Sequence, residues 1–299
     1  MNVAFFSETG DNKKYPRDFP NSRTEVAWCI ALDAPMCSLE YLPDEHFDLG
    51  IVIIPKNNPK VDLESIRKCC DKVAVMQEGP HWYFQDYSVE EQFNYFNTLM
   101  DSDWVYCHNE SDVNYYRGLG CEDTRVMRSL MIPHNLLPRS EWGDVTIIGG
   151  NMVSWYGGFD SFMLASSVTD EIYQPKMGRA LPNEQQLGIT QLPYLQWSDW
   201  IRELNKRKMG IHMMRTHAAG TFALNCSYLG IPCVGYGELD TQWLLHPNLS
   251  VKNGDLEKAR KLVNKLWNDL DFYEENCILT KQLYKERYSE EVFKEGLKL

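Results

Sequence analysis

Several signatures are missing from this 299-residue sequence, and each absence closes off a class. None of the nine cysteines forms a CxxC pair, and the adjacent Cys69-Cys70 suits neither a zinc ribbon nor a disulfide framework. Buried, reduced thiols are expected. No apolar run approaches the roughly 18 to 20 residues that span a bilayer. The opening MNVAFFSETGDNKK lacks a basic region followed by a long apolar one, so a cytoplasmic chain without a secretory leader is expected. Walker A and GxGxxG loops are absent, leaving phosphoryl transfer and nicotinamide chemistry without support. Asp101-Ser102-Asp103 matches the letters of a DxD metal motif but precedes a strand instead of ending one, so no metal ligand is assigned. There is no internal repeat and no low-complexity tract.

What is present is the composition of a folded chain. Hydrophobic residues make up 43%, enough for real cores, and the length suits two domains of ordinary size. The net charge of −12 is concentrated early, where the first 140 residues hold 13 basic and 22 acidic side chains. That balance counts against a broad duplex nucleic-acid footprint, though it leaves room for a local basic groove.

One stretch organises the rest. Residues 208–236 read KMGIHMMRTHAAGTFALNCSYLGIPCVGY: a short apolar strand, a polar turn at Arg215-Thr216-His217, small residues 218–221, a helix and a second strand. Phe222, Cys226 and Leu229 fall at helical spacing, Gly230 sits where a C-terminal cap is expected, and Pro232 follows it. A turn of small residues before a helix offers free N–H groups and the positive end of the dipole, which suits a diphosphate. It equally serves as a plain tight connection.

Upstream, strands are expected at 3–6, 47–54, 72–77, 104–107 and 125–131. Helices are expected at 22–33, capped by Ser22 with Glu25 completing a capping box, and at 63–70, 90–100 and 111–119. The alternation implies a doubly wound parallel sheet. Residues 132–143, with two prolines and no periodicity, read as a linker. A second sheet opens at 145–148, with a helix at 159–168, a short strand at 171–173, a helix at 199–207 capped by Ser198, and a strong helix at 255–270.

The 208–236 stretch resembles the nucleotide-sugar site of GT-B glycosyltransferases, where a strand-end loop opens a helix that ends in Gly-x-Pro. Aligned on Gly230-Ile231-Pro232, His217 and Asn225 stand where the retaining branch carries two glutamates eight positions apart. The resemblance implies an α/β chain of two Rossmann-like domains facing across a cleft. These would be an acceptor domain at 1–135, to which a terminal helix at 289–299 crosses back, and a donor domain at 136–288. It implies metal-independent transfer from a nucleotide-diphosphate sugar, UDP-linked as the first expectation, with no further cofactor. The compact size also resembles phage-encoded members, some of which decorate hydroxymethylated pyrimidines in DNA, in which case the location is the host cytoplasm. A glycan or lipid-linked acceptor is the alternative, and a non-catalytic nucleotide- or sugar-binding relative is a third.

Candidate donor residues are Gly157, Gly158, Lys176, Arg179, Arg215, His217, Ala219, Gly220, Thr221 and Asn225. The arginines and the lysine suit phosphate; loop solvation or a solvated helix face would explain Lys176, Arg179 and Asn225 as well. Candidate catalytic residues are His81, just after a strand and behind Gly79-Pro80, with Glu78 at the same strand end and Asp11 (beside Glu8) after the first strand. A lone histidine is more often structural. The aromatics Trp82, Tyr83 and Phe84 are candidates for stacking an acceptor, or for plain packing.

Overall fold

The computed structural model describes residues 1–132, 146–176, 178 and 180–297. The expected linker at 132–143 lies outside the described residues apart from Ile132. The chain divides into two compact units. The first holds Met1–Ile132, His217–Ala219 and the chain from Glu290; the second holds the described residues of Pro133–Thr216 together with Gly220–Ser289.

The first unit alternates β1 (Val3–Ser7), α1 (Thr24–Leu32), β2 (Met36–Ser38), β3 (Phe47–Ile53), α2 (Leu63–Ile66), β4 (Cys70–Met76), α3 (Val89–Met100), β5 (Trp104–Cys107), α4 (Glu110–Leu119) and β6 (Thr124–Val126). Its six strands are all parallel in the order β2-β1-β3-β4-β5-β6. The register explains the continuous apolar runs. Phe5, Ile51, Ala74 and Trp104 form one row across four strands, and their neighbours Phe6, Val52, Val75 and Val105 form the row on the opposite face. Both rows are buried, each in its own core layer, as a parallel sheet covered on both faces demands. Each buried large side chain contributes about 1.5–3 kcal/mol.

Two expectations fail here for local reasons. α1 starts at Thr24 with Arg23, which offers no side-chain cap, at the N-cap position, while Ser22 donates its hydroxyl to the Phe19 carbonyl. The capping box that does form is Ser88 with Glu91, at the head of α3. The helix read at 63–70 stops at Ile66, since Cys69 and Cys70 are drawn into strand pairing, the Cys69 carbonyl accepting from the Phe47 amide. Asp103 spends its carboxylate on the Val73 amide at 2.8 Å and on Lys72 and Arg67 at 3.1 Å, so it pins a strand end.

The second unit carries β7 (Thr146–Ile148), α5 (Gly158–Ala165), β8 (Ile172–Gln174), β9 (Thr190–Gln191), α6 (Trp197–Leu204), β10 (Met209–His212), α7 (Thr221–Leu229), β11 (Cys233–Tyr236), α8 (Asp240–Leu245), β12 (Ser250–Val251), α9 (Leu256–Asn268) and α10 (Leu270–Arg287). Its strands are again all parallel, in the order β12-β11-β10-β7-β8-β9. Ile148, Ile211 and Val234 lie in one buried row. From β7 the chain runs outward through β8 and β9, then returns to place β10 on the other side of β7. That reversal is the switch point of the sheet, where ligands of open α/β sheets bind. Ser198 does not cap α6; the helix begins one residue earlier, at buried Trp197. Among the described residues, no helix is long and apolar enough to cross a membrane.

The last helix, α11 (Glu290–Gly296), packs on α1 within the first unit and buries Phe293 in its core. Glu290 takes both guanidinium nitrogens of Arg17, at 3.1 and 2.5 Å. That bidentate pairing holds its carboxyl below the usual range, against the opposing effect of burial and with help from Lys294. A carboxylate with a depressed folded pKa stabilises the fold above its unfolded pKa of about 4.3 and loses that contribution as pH falls through the folded value. Glu290→Gln is therefore expected to lower the urea midpoint at pH 7, with the gap to the unaltered chain closing below roughly pH 4. Urea titrations at the two pH values check it, and a gap undiminished at pH 3 would remove the ion pair as its cause.

Candidate active site

The carboxyl ends of β4 and β5 carry the densest chemistry in the first unit. β4 runs out into Gln77-Glu78-Gly79-Pro80-His81, and β5 into His108-Asn109, after which α4 begins. Asp112 is the third residue of α4, where the helix dipole favours a negative charge. Its side chain is only 7% exposed. Burial raises the pKa of such a group, yet the contacts of His217, His81 and Asn109 outweigh it and hold Asp112 well below the usual carboxylate range. His217 Nδ1 donates to Asp112 Oδ1 at 2.7 Å, and Asn109 Nδ2 donates to Oδ2 at 2.9 Å. His81 Nδ1 lies 3.4 Å from Oδ1, a charge contact off the angle of a hydrogen bond, and that nitrogen is otherwise buried without a partner. The His81 ring stacks on Tyr115, one turn along α4, at 4.1 Å, and meets the edge of His217 at 5.7 Å.

The tripeptide bearing His217 is fixed at three points. Besides the Asp112 bond, Asn109 Nδ2 donates to the Ala218 carbonyl at 3.2 Å and Ser129 Oγ donates to that of Ala219. An ionised carboxylate on Nδ1 requires the proton to sit there, which leaves His217 Nε2 as a proton acceptor. This is the orienting logic of an acid–base histidine.

The other catalytic candidates find different partners. Glu78 pairs with Lys56 at 2.9 Å and exposed Asp11 with Lys13 at 3.1 Å; Glu8 is exposed. Glu25, close to Glu78, has its carboxyl raised by burial and then by the Glu78 charge, and its Oε2 lacks a hydrogen-bond partner. Phe84 is core, meeting Tyr83 and Tyr87 edge-on and Tyr95 at a tilt.

In the second unit the donor candidates gather at the switch point. Gly157 has φ 60°, and a Cβ there would overlap the carbonyl oxygen of Met213, just past β10. A Cβ on Gly158 would overlap the Asn151 carbonyl oxygen, and Ser161 Oγ both donates to the Gly157 carbonyl at 2.8 Å and accepts from the Met213 amide at 2.9 Å. The glycine loop after β7 thus lies directly on the chain leaving β10. Arg215 pairs with Asp160 in the first turn of α5, where the Tyr236 hydroxyl also reaches at 3.5 Å. Gly220, at φ 63°, opens α7, with Thr241 Oγ1 filling the space a Cβ would need. Thr221 begins a helix with no side-chain cap and no acid in its first turn, so the dipole end is uncompensated. Lys176 is exposed, and Arg179 lies outside the described residues. Asn225 has no solvated face: α7 packs against both α8 and α10, leaving the residue 3% exposed with Oδ1 unpaired.

No family model and no curated protein matches the sequence. Solved structures do match. HepE of Anabaena in complex with UDP-glucose superposes with a TM-score of 0.66 at 10% identity, over 99% of this chain and 98% of that one. An alpha-glucosyltransferase in complex with UDP-glucose and DNA containing an abasic site gives 0.62 at 13%, again over 99% and 98%. S. aureus TarM gives 0.63 at 10%, covering 83% of this chain and 54% of TarM, so the chain spans about half of TarM's length. This is the GT-B glycosyltransferase fold.

Within that GT-B frame the fold expected from residues 208–236 holds, while His217 and Asn225 occupy very different surroundings: one on a loop 23% exposed, the other between helices. His81 and His217, distant in sequence, come together; Asp112, Asn109 and Tyr115, which complete the cluster, carry no motif that marks them. The available signal was position, since Asp112 follows the carboxyl end of a parallel strand, where ligands of such sheets bind.

Gly157→Ala should cost about 1–3 kcal/mol through overlap and strain at positive φ. Gly118→Ala, at a helical position with open space around it, should be neutral or stabilising by up to roughly 1 kcal/mol. Denaturant midpoints of the two variants check this, and equal effects would refute the steric account.

Proposed function

We propose that the protein is a glycosyltransferase that moves a sugar from a UDP-sugar to an acceptor hydroxyl. The observation that carries this reading is the switch point of the second sheet, where a glycine loop and the uncapped start of α7 follow neighbouring strands. Structures of the same fold and nearly the same length were solved with UDP-glucose, which supports a uridine donor and a hexose as the first candidate.

In the reaction the bond from the anomeric carbon to the diphosphate oxygen breaks and a bond to the acceptor oxygen forms. UDP leaves, and the acceptor's proton goes to a base. Main-chain N–H groups at Gly157-Gly158 and at Gly220-Thr221 bear on the diphosphate, and Arg215 is the cation on that edge. His217, kept in its Nδ1–H form by Asp112, receives the acceptor's proton at Nε2, and neighbouring His81 binds the sugar. This scheme uses no metal.

For the acceptor, a hydroxymethylated pyrimidine in DNA is supported by the alpha-glucosyltransferase solved with DNA. The acidic excess of the first 140 residues favours the second reading, a glycan acceptor.

Incubation with a panel of UDP-sugars and either hydroxymethylated DNA or oligosaccharides, with UDP release as the readout, tests both. His217→Ala and Asp112→Ala are expected to lower kcat by about 10²–10⁴-fold with little change in donor KM. A thermal shift with UDP at a hundred times its Kd corresponds to about 2.7 kcal/mol. Such a shift without UDP release from any acceptor would identify a binding protein, and no shift with any nucleotide would remove the donor site.

A further inference from the structure

One carboxylate oxygen facing two imidazole nitrogens is an unusual use of a buried acid. A hydrogen-bonded histidine needs only one such contact. Here Asp112 Oδ1 has His217 Nδ1 at 2.7 Å and His81 Nδ1 at 3.4 Å, and each of the three residues offers a ligand atom within 4.8 Å of the others. We propose that His81, Asp112 and His217 form a binding site for a divalent transition ion of the zinc class, with at least one coordination position left open.

Two of the ligand separations are close to those of a tetrahedral site. Bonds of about 2.0–2.1 Å in a tetrahedron place neighbouring ligand atoms roughly 3.3–3.4 Å apart. The His81–Asp112 separation already has that value, and the His217–Asp112 contact must widen by about 0.6 Å once its proton leaves. The donor set, two imidazoles and one carboxylate, suits zinc, cobalt, nickel or copper and is poor for magnesium or calcium, which prefer oxygen. Supporting contacts of the kind that orient ligands are in place: Asn109 Nδ2 donates to the second Asp112 oxygen at 2.9 Å, and Tyr115 stacks on the His81 ring. Both histidines are about one-fifth exposed, which gives an ion a path in and a face for water. A net charge of −12 draws cations toward the chain.

Occupancy has a consequence that rests on the proposed transfer chemistry. His217 Nδ1 cannot hold both the ion and the proton that fixes its tautomer, so a bound ion displaces acid–base function. Zinc is then an inhibitor of the transfer, relieved by a chelator.

The test uses the full chain freed of metal with a chelator and dialysed. Cobalt(II) is titrated with visible absorption as the readout, and zinc(II) by competition with a chromophoric chelator. One equivalent of cobalt with a tetrahedral or five-coordinate band is expected, together with zinc stabilisation in thermal melts and no such effect of magnesium. His81→Gln and Asp112→Ala should abolish the cobalt band and weaken zinc more than about 100-fold, since even an outer contact is worth 10–100-fold. Circular dichroism establishes that each variant is folded, and His217→Asn serves if either is not. Absence of a stoichiometric cobalt band in the unaltered chain overturns the site, as does a band that survives these substitutions. UDP release is measured separately: its absence from every sugar and acceptor removes the transferase reading without touching the cobalt result.

Discussion

Parallel pairing governs both units. Every strand of each sheet runs the same way, so every carboxyl end emerges along one edge, and the strands between are buried on both faces. Rows such as Phe5–Ile51–Ala74–Trp104 leave no place for polar chemistry inside the sheet. Polar side chains are therefore expelled to the strand ends: Gln77 and Glu78 after β4, His108 and Asn109 after β5, Arg215 and His217 after β10.

That crowding forces each charge to find its own settlement, and two acids on one edge settle in opposite directions. Glu25 is largely buried, lacks a partner for one oxygen and lies near the Glu78 charge, so its carboxyl is raised. Asp112 is buried as well, but two imidazoles, an amide and a helix start all stabilise its charge, and its carboxyl is lowered. Environment, and not residue type, moves one carboxyl up and the other down. Only the second can fix the tautomer of a neighbouring histidine across the working pH range.

The apolar framework was legible in the chain. A short β-branched run such as Ile51-Val52-Ile53 is stable chiefly as a buried strand, and a glycine placed like Gly230, at φ 69°, ends a helix. Shorter elements were not legible. β9 and β12 are two residues long, and α8 carries buried Gln242 and is followed by buried His246. Ser22 and Glu25 matched the letters of a capping box, yet a competing carbonyl three residues back took the hydroxyl. His81 and His217 could be noticed singly by their positions after strands, but their meeting is a property of the fold. Asp112 lies within HNESDVNYY, which looks like an ordinary solvated helix face, and nothing local marks it as buried.

The two positions that depart from the retaining pattern follow from these surroundings. At position 225 the helix is covered by α8 and α10, so an ionised side chain would need a buried partner; neutral Asn225 avoids that penalty. Position 217 is partly open, where a charge is cheaper, but a glutamate there would stand against Asp112, and two carboxylates at hydrogen-bond distance cannot both stay ionised. Histidine at 217 and aspartate at 112 are thus a matched choice: the acid supplies the charge, and the imidazole supplies the proton that makes its burial tolerable. A sequence that replaced one without the other would leave either an unpaired buried carboxylate or a histidine free to choose the wrong tautomer.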